Sequence, residues 1–245
     1  MKSIKILYNN LNLLSVLDLH NFIFKKINNN EKSFIGNLNI HAANISYSNI
    51  LFRSYLNNCD IVFCDGKGIQ LGAWILNKPI PKQITYHTWM WELLKFCNEN
   101  NFSLFFLGSK KGIAEKAIEK IRLEYPNLRL DSHHGYFNKE NIENDTVINQ
   151  INSFRPNILI VGFGMPLQEF WIERNHSKIN TNIFLNGGAY LEWISGNQKQ
   201  APAWMTTMGF EWLYRLIFSP IRLFNRYVIG NPLFLLRILR QKYNI

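Results

Sequence analysis

Short apolar runs alternate along the chain with segments whose apolar residues recur at helical spacing. The runs have the length of buried strands, and the intervening segments have the 3.6-residue period of amphipathic helices. Because parallel strands need crossover connections, the alternation predicts an α/β fold: a Rossmann-like, mostly parallel sheet flanked by helices. The predicted strands are Ile4 to Tyr8, Ile61 to Cys64, Leu104 to Leu107, Ile158 to Gly162 and Ile183 to Leu185. The predicted helices are Ser46 to Tyr55, Gly68 to Leu76, Thr88 to Asn98, Lys111 to Glu124 and Pro166 to Asn175.

The pattern changes after about Pro202, where basic and aromatic residues are interleaved with aliphatic ones. Pro220 and the segment from Gly230 to Pro232 should break this tail into short helical pieces. Arginines beside apolar faces suit a segment at a membrane surface, although a helix pair packed on its own core explains the pattern equally well. We therefore expect an α/β core over residues 1–200 and a membrane-associating, basic amphipathic helical appendage over 201–245.

Composition narrows the classes of partner. Lys and Arg number 27 against 17 Asp and Glu, which favours nucleic acid, anionic headgroups or a phosphorylated substrate. No run approaches the roughly 20 apolar residues of a membrane span, and the N-terminal residues lack the pattern of a signal peptide. The three cysteines lack metal-ligand spacing. We expect a cytoplasmic protein that is peripheral on the inner face of the cell membrane. The sequence leaves open whether it forms a homo-oligomer.

An acid ends one predicted strand, in the segment DIVFCDGKG. Ligands of parallel sheets gather at the carboxyl ends of strands, so partial desolvation there could raise the pKa of Asp65 and let it take a proton from a hydroxyl. Gly66 lets backbone approach a ligand closely. From spacing alone, a helix cap is the simpler role for Asp65.

Three further strand ends carry glycine or polar residues. Gly108 opens the turn LGSKKG, whose amides could bind phosphate, although an ordinary strand-to-helix turn explains it as well. The other two turns contribute Gly164, Gln168 and Glu169 from GFGMPLQE, and Gly187, Gly188 and Glu192 from NGGAYLEW. An amide and a carboxylate suit sugar hydroxyls, yet Glu in a first helical turn also simply favours the helix dipole. Glycine or polar residues at the ends of four predicted strands together favour a ligand site.

Taken together, the DG turn, GFGMPLQEFW, GGAYLEWISG and EWLYRLIFSPIRLFNRY resemble the WecG/TagA/CpsF family of glycosyltransferases, from about Leu38 to Leu239. The blocks G-x-G-x-P-x-Q-E and E-W-x-x-R-x-x-x-x-P-x-R carry the resemblance. It implies an inverting, metal-independent hexosyltransferase without a cofactor, which moves N-acetylmannosamine, its uronic acid, glucose or a related hexose from a UDP-sugar. The implied acceptor is an undecaprenyl-diphosphate-linked sugar used for capsule, teichoic acid or other surface polysaccharide.

By position, the resemblance implies Asp65 as the general base. It also implies Gln168 and Glu169 as donor-site residues, and Asn44 as a polar contact beside Asp65 in a T-x-N pattern whose threonine is replaced by Ala42. The tail arginines that would neutralise diphosphate are Arg215, Arg222 and Arg226.

Some positions depart from the family pattern. Gln83 and Gln200 stand where arginines are usual, and Glu192 stands where aspartate is usual. These departures favour a donor or acceptor other than the N-acetylmannosamine system and leave the reaction class unchanged.

Two other classes of protein remain open. A nucleic-acid-binding protein would explain the charge, but the basic residues are interleaved with aliphatic ones and no known binding pattern appears, so we expect no nucleic-acid partner. A non-catalytic peripheral-membrane protein would explain the tail and leave the strand ends unexplained. No D-x-D or His/carboxylate cluster predicts a metal site, and His133 and His134 are expected in a surface loop.

Overall fold

The structure is a computed structural model that describes residues 1–80, 84–199 and 201–244. The strands are β1 Ser3–Ile6, β2 Asn9–Asn12, β3 Ser33–Leu38, β4 Ile61–Cys64, β5 Leu104–Gly108, β6 Leu130–His133, β7 Ile158–Gly162 and β8 Ile183–Asn186. The helices are α1 Val16–Asn28, α2 Ile40–Ser48, α3 Ile50–Asn58, α4 Lys67–Ile75, α5 Tyr86–Glu99, α6 Ile113–Glu124, α7 Ile142–Phe154, α8 Leu167–Asn175, α9 Tyr190–Ile194, α10 Ala203–Met208, α11 Glu211–Phe218, α12 Pro220–Phe224 and α13 Gly230–Tyr243. A 3₁₀ segment, His176–Lys178, follows α8, and a π-helical segment, Asn225–Ile229, precedes α13.

Six of the strands form one parallel sheet in the order β4-β3-β8-β7-β5-β6. The central strand β7 pairs in parallel with β5 on one side and with β8 on the other. The predicted α/β fold with a parallel sheet and flanking helices is therefore confirmed. The first predicted strand lies outside this sheet, because β1 turns back at Leu7 and pairs antiparallel with β2.

The described residues divide into two compact units. The first unit contains Met1–Ser15, Asn37–Thr85 and the described part of Gln200–Ile245, and the second contains Val16–Gly36 and Tyr86–Lys199. The tail helices thus belong to the same unit as α2 and α4. The predicted domain boundary at residue 200 stays a prediction.

In the first unit, α13 packs against α2 and α4. The ring of Phe234 is fully buried, and a Cβ at Gly72 would lie only 2.8 Å from its Cζ, so this helix contact requires the glycine. The side chain of Asn44 on α2 donates to the carbonyl oxygen of Gly230 at 2.7 Å and accepts from Nη1 of Arg237 at 2.8 Å. The last helix is therefore fixed by both apolar packing and polar contacts.

The tail contains one of the two expected breaks. Pro220 starts α12 after Ser219, which is not helical (φ -147°, ψ 58°), as expected. The break expected from Gly230 to Pro232 is wrong, because the chain stays helical from α12 through Asn225–Ile229 into α13. Pro232 is the third residue of α13 and follows the π-helical segment, and it does not interrupt the helix.

In the second unit, the core is built on the central strands. Every residue of β5 is buried, and the side chains of Phe105, Phe106 and Phe184 are fully shielded. Such continuous apolar strands are typical of parallel sheets that helices cover on both faces. No helix in the described part of the chain is both long and apolar enough to cross a bilayer.

Candidate functional site

Asp65 follows β4 and is fixed beside the end of β3. Its backbone N–H donates to the carbonyl oxygen of Leu38 at 2.9 Å. The side-chain amides of Asn37 and Asn39 both donate to its Oδ2, at 2.9 and 3.1 Å. Its Oδ1 accepts no hydrogen bond from the described residues, so one carboxylate oxygen is held and the other remains available.

Asp65 does not cap the helix that follows it. The N-cap of α4 is Gly66, at φ 95° and ψ 154°, and no side chain caps this helix. No atom lies within 4 Å of where a Cβ at Gly66 would stand, so the requirement for glycine there is conformational. The capping role that spacing alone favoured is therefore not the one the structure has.

A cavity of about 700 Å³ opens beside Asp65 within the first unit. This volume lies within the range of about 300 to 1,000 Å³ that is usual for small-molecule sites. Its polar and charged lining consists of Asn39, His41, Asp65, Lys67, Gln70, Thr85, Thr206, Glu211, Arg215, Arg226 and Asn231. Three cations, Lys67, Arg215 and Arg226, thus face two carboxylates in one cavity, which favours an anionic ligand.

The environment of Asp65 makes it a suitable base near neutral pH. Burial raises its pKa to about 6, and the negative charge of Glu211 contributes in the same direction. The hydrogen bonds from Asn39 and Asn37 and the positive charge of Arg226 oppose this shift. An ionised carboxylate with a pKa near 6 accepts a proton more readily than an ordinary aspartate does.

Arg226 brings a poorly solvated positive charge to the cavity. Its Nε is buried and has no hydrogen-bond partner, and no described carboxylate lies within 4.0 Å of its guanidinium. Burial lowers its pKa, and the nearby charges of Arg215 and Arg222 add to that effect. Because a poorly solvated cation without a counter-ion is costly, an anion bound in the cavity would relieve this cost.

The remaining residues of the cavity differ in their pairing. Glu211 and Arg215 form a loose ion pair at 4.0 Å. Burial, with a smaller contribution from Arg226, lowers the pKa of His41 to about 4, so its imidazole is neutral at physiological pH. Of the predicted site residues, Asp65, Gly66, Arg215 and Arg226 line this cavity, whereas Asn44, Arg222 and the predicted residues of the other three strand-end turns do not.

In the second unit, glycines allow the turns after three strands to approach one another closely. A Cβ at Gly108 would lie 2.6 Å from the carbonyl oxygen of Gly162, and one at Gly162 would lie 2.6 Å from that of Gly188. A Cβ at Gly187 would meet the ring of Tyr190 at 2.3 Å. By contrast, no atom lies within 4 Å of the Cβ positions of Gly164 and Gly188, which leaves open space there.

Gln168 and Glu169 form a buried network. The amide of Gln168 donates to Oε1 of Glu169 at 2.8 Å, Asn186 donates to the same oxygen at 3.0 Å, and the N–H of Gly164 donates to Gln168. Both side chains are 0% exposed, and Oε2 of Glu169 has no partner. Burial raises the pKa of Glu169 to about 7. Direct contact of these two residues with a donor sugar stays a prediction; in the structure they fix the Gly164 turn.

The other predicted positions are only partly described. The carboxylate of Glu192 accepts from Asn197 at 2.6 Å in the turn after α9. His133 ends β6 instead of lying in a loop, while His134 follows the strand. Gln83 and Gln200 lie outside the described residues. No group of three His, Cys, Asp or Glu residues suited to a metal ion occurs in the described ranges.

Sequence reasoning missed the two side chains that donate hydrogen bonds to the Asp65 carboxylate. Asn37 and Asn39 lie two residues apart and flank the end of β3, a strand that the apolar pattern did not predict. The segment NLN before a helix is a signal for this site, because Asn39 also caps α2 by accepting from the N–H of Ala42 at 3.0 Å. The family's T-x-N pattern points instead to Ala42 and Asn44.

Comparison with known proteins identifies the family. A sequence model described as "Glycosyl transferase WecG/TagA/CpsF family" matches residues 4–245. The chain is 28% identical over 212 residues to proteins of Staphylococcus aureus strains NCTC 8325 / PS 47, COL and MRSA252. Each alignment covers 86% of this chain and 82% of the relative. All three relatives are named N-acetylglucosaminyldiphosphoundecaprenol N-acetyl-beta-D-mannosaminyltransferase. The prediction of a hexosyltransferase is thereby confirmed, and the chain belongs to the WecG/TagA/CpsF family of glycosyl transferases.

Proposed function

We propose that this glycosyltransferase moves a hexose or hexosamine from a UDP-sugar to a sugar linked to undecaprenyl diphosphate, with inversion at the anomeric carbon. The acceptor class follows the name of the Staphylococcus aureus relatives. Such an acceptor brings a hydroxyl, a diphosphate and a lipid chain together, and the cavity beside Asp65 offers a complementary group for each.

The availability of the Asp65 carboxylate carries the proposal. Oδ2 is held by two amides, and Oδ1 is left to accept a proton. In the proposed step, Oδ1 takes the proton of the acceptor hydroxyl while that oxygen bonds to the anomeric carbon. The bond from this carbon to the β-phosphate oxygen breaks, and UDP leaves with the electron pair. A single displacement of this kind inverts the anomeric configuration.

The cationic residues of the cavity support recognition of a diphosphate. Arg226 lacks a carboxylate partner among the described residues, and Arg215 and Lys67 line the same cavity. Guanidinium groups bind phosphate oxygens through strong, charge-assisted hydrogen bonds. We assign the acceptor diphosphate to these residues, because Asp65 must lie near the acceptor's hydroxyl.

The remaining features of the proposal concern the donor, metal and membrane. The turns at Gly164 and Gly188 leave open space at the carboxyl ends of parallel strands, where nucleotide phosphates are commonly bound. We assign the UDP moiety to these turns and no role to a metal ion.

An enzyme acting on a membrane lipid works at the membrane surface, and we place this one on the inner face.

A donor and acceptor screen tests the proposal. UDP-sugars are incubated with an undecaprenyl-diphosphate N-acetylglucosamine acceptor, with and without a chelator, and the anomeric configuration of the product is determined. Transfer with inversion in the presence of the chelator is expected. Absence of transfer from every UDP-sugar would contradict the donor class, retention would contradict the single displacement, and loss with the chelator would contradict metal independence.

A further inference from the structure

One side of the cavity beside Asp65 is apolar and exposed. Leu71 and Trp74 on α4 line the cavity, yet they are 46% and 70% exposed. Met208 and Leu235 line it as well, and Met208 is 65% exposed. Large apolar side chains that stay exposed at the edge of a ligand cavity indicate an apolar part of the ligand.

Leu71 and Trp74 lie on one face of α4 and form what we call the apolar stripe. Lys67, Leu71 and Trp74 are spaced i, i+4 and i+7, so they share one face of α4. Their helix begins two residues after Asp65, and at 1.5 Å per residue Trp74 lies about 10 Å along the axis from Lys67. The cavity wall on α4 therefore changes from cationic to apolar with increasing distance from the helix start.

The neighbouring helix shows the same change. Asn231 and Leu235 on α13 are spaced i, i+4 and line the same cavity. The two helices touch through Gly72 and Phe234, the residues that directly follow Leu71 and precede Leu235. On both helices, a polar residue that lines the cavity is thus followed along the same face by an apolar one.

We propose that Leu71 and Trp74, with Met208 and Leu235, bind the isoprene units nearest the diphosphate of the acceptor lipid, so that the chain leaves the cavity over Trp74. The inference rests on the proposed function and adds the route of the lipid. It follows from the order of groups along the acceptor: a sugar hydroxyl at Asp65, a diphosphate at the cations, and an apolar chain beyond them.

Kinetics with monomeric acceptors test the proposal without any membrane. The same sugar diphosphate is linked to a methyl, a geranyl or a farnesyl group, and KM is measured below micelle-forming concentrations without vesicles or detergent. In the wild type, KM should fall as the chain lengthens. In L71A/W74A, KM for the farnesyl acceptor should rise by about tenfold or more relative to KM for the methyl acceptor, so that the gain from the longer chain is lost.

Two further variants show whether the effect belongs to the apolar stripe. W204A removes another exposed tryptophan that is not among the lining residues, so it should behave as wild type. W74F should retain most of the gain from the longer chain, because it keeps an apolar ring. If L71A/W74A still binds the farnesyl acceptor as wild type does, the lipid does not follow this route. If that variant loses only vesicle binding, the stripe contacts the bilayer instead, and the proposal falls.

The outcomes also separate this inference from the proposed function. A wild type that transfers to all three acceptors with equal KM leaves the function standing and overturns the route. A wild type that transfers to the undecaprenyl-linked acceptor but to none of these three overturns binding of the first isoprene units at the stripe, whereas one that transfers to neither kind of acceptor contradicts the function as well. Equal impairment of L71A/W74A with all three acceptors would show that the stripe only supports the fold, which also overturns the route.

Discussion

The side-chain amide of Asn37 donates to Oδ2 of Asp65 across 2.9 Å, from the end of β3 to the residue that follows β4. Together with Asn39, this contact turns the carboxylate so that Oδ1 remains available. The hydrogen bonds favour the ionised carboxylate, while burial and Glu211 favour the protonated one. The balance between these influences sets the pH at which Asp65 can act as a base, and it can be measured.

The activity should depend on the ionisation of Asp65. Because burial raises the pKa of Asp65 to about 6, kcat/KM should be constant above that pH. It should fall about tenfold per pH unit well below it, as the carboxylate takes up a proton. The measurement is kcat/KM against pH from well below to well above that pKa, at saturating donor. A constant kcat/KM at acidic pH, a full unit or more below the pKa, would exclude a base of this kind.

The acid limb of the pH profile is the range in which kcat/KM falls at low pH. Removing a group that favours the ionised carboxylate and removing one that favours the protonated carboxylate should move this limb in opposite directions. Asn37→Ala removes a hydrogen bond to the ionised carboxylate, so the pKa of Asp65 should rise and the limb should move to higher pH. Glu211→Gln removes a nearby negative charge, so that pKa should fall and the limb should move to lower pH.

The two variants control for each other. General damage to the enzyme would lower kcat in both without moving the acid limbs of their pH profiles in opposite directions. The pH profiles of both variants are compared with that of the wild type under identical conditions. Shifts in the same direction, or none in either variant, would contradict the electrostatic description of Asp65.

Arg226 should contribute to acceptor binding and not to the stability of the ligand-free protein. Removing an unpaired, poorly solvated cation leaves no described carboxylate without a partner, so Arg226→Met should unfold at the same urea concentration as wild type or a higher one. Loss of a charge-assisted contact to diphosphate should raise the KM for the acceptor by about tenfold or more. Urea unfolding and steady-state kinetics measure the two effects.

Arg222→Met is the matched control, since Arg222 is exposed and does not line the cavity. Its effect on KM should be clearly smaller. An Arg226→Met variant with unchanged KM would remove this arginine from the proposed diphosphate site.

Glu169 should make the protein less stable as the pH rises. Its pKa is about 7 in the folded state against an ordinary value of 4.5, so the folded state binds more protons between these values and stability falls as pH increases through them. This difference in pKa corresponds to about 3 kcal/mol in the free energy of unfolding, and that contribution is fully lost above pH 7. Glu169→Gln should lack this pH dependence and should be more stable than wild type at mildly alkaline pH, by urea unfolding.

Glu173→Gln on the same helix is the control, because Glu173 is exposed. It should keep the pH dependence of the wild type. If Glu169→Gln loses stability between mildly acidic and mildly alkaline pH as steeply as wild type does, Glu169 is not the source of the effect.

The apolar strands of the sheet could be predicted from the sequence, and the strands of mixed composition could not. β4 and β7 were predicted with their observed bounds, because continuous apolar runs are typical of buried parallel strands. β3 was missed, since Ser33, Gly36 and Asn37 interrupt its apolar pattern although all three are buried. β6 was missed because it lies at the sheet edge and carries polar residues.

The site was predicted only as far as motifs mark strand ends. Asp65 was recognisable from its position after an apolar strand. Its partners on β3 were not, because their contacts depend on tertiary pairing between β3 and β4. Likewise, Gln168 and Glu169 were recognised as a motif, but their burial beneath the Gly164 turn depends on Asn186, a residue distant in sequence. Local patterns indicate which residues matter, whereas their protonation and partners follow from packing.

The central claim is that Asp65 is the base in transfer from a UDP-sugar to an undecaprenyl-diphosphate-linked sugar. The most direct measurement compares turnover of wild type, Asp65→Asn and Asp60→Asn with the donor and acceptor pair found in the screen. Asp60 lies just before the same strand and is exposed, so its variant should retain wild-type turnover. Asp65→Asn should fold normally and lose at least about a hundredfold in kcat. A folded Asp65→Asn protein with wild-type turnover would contradict the account.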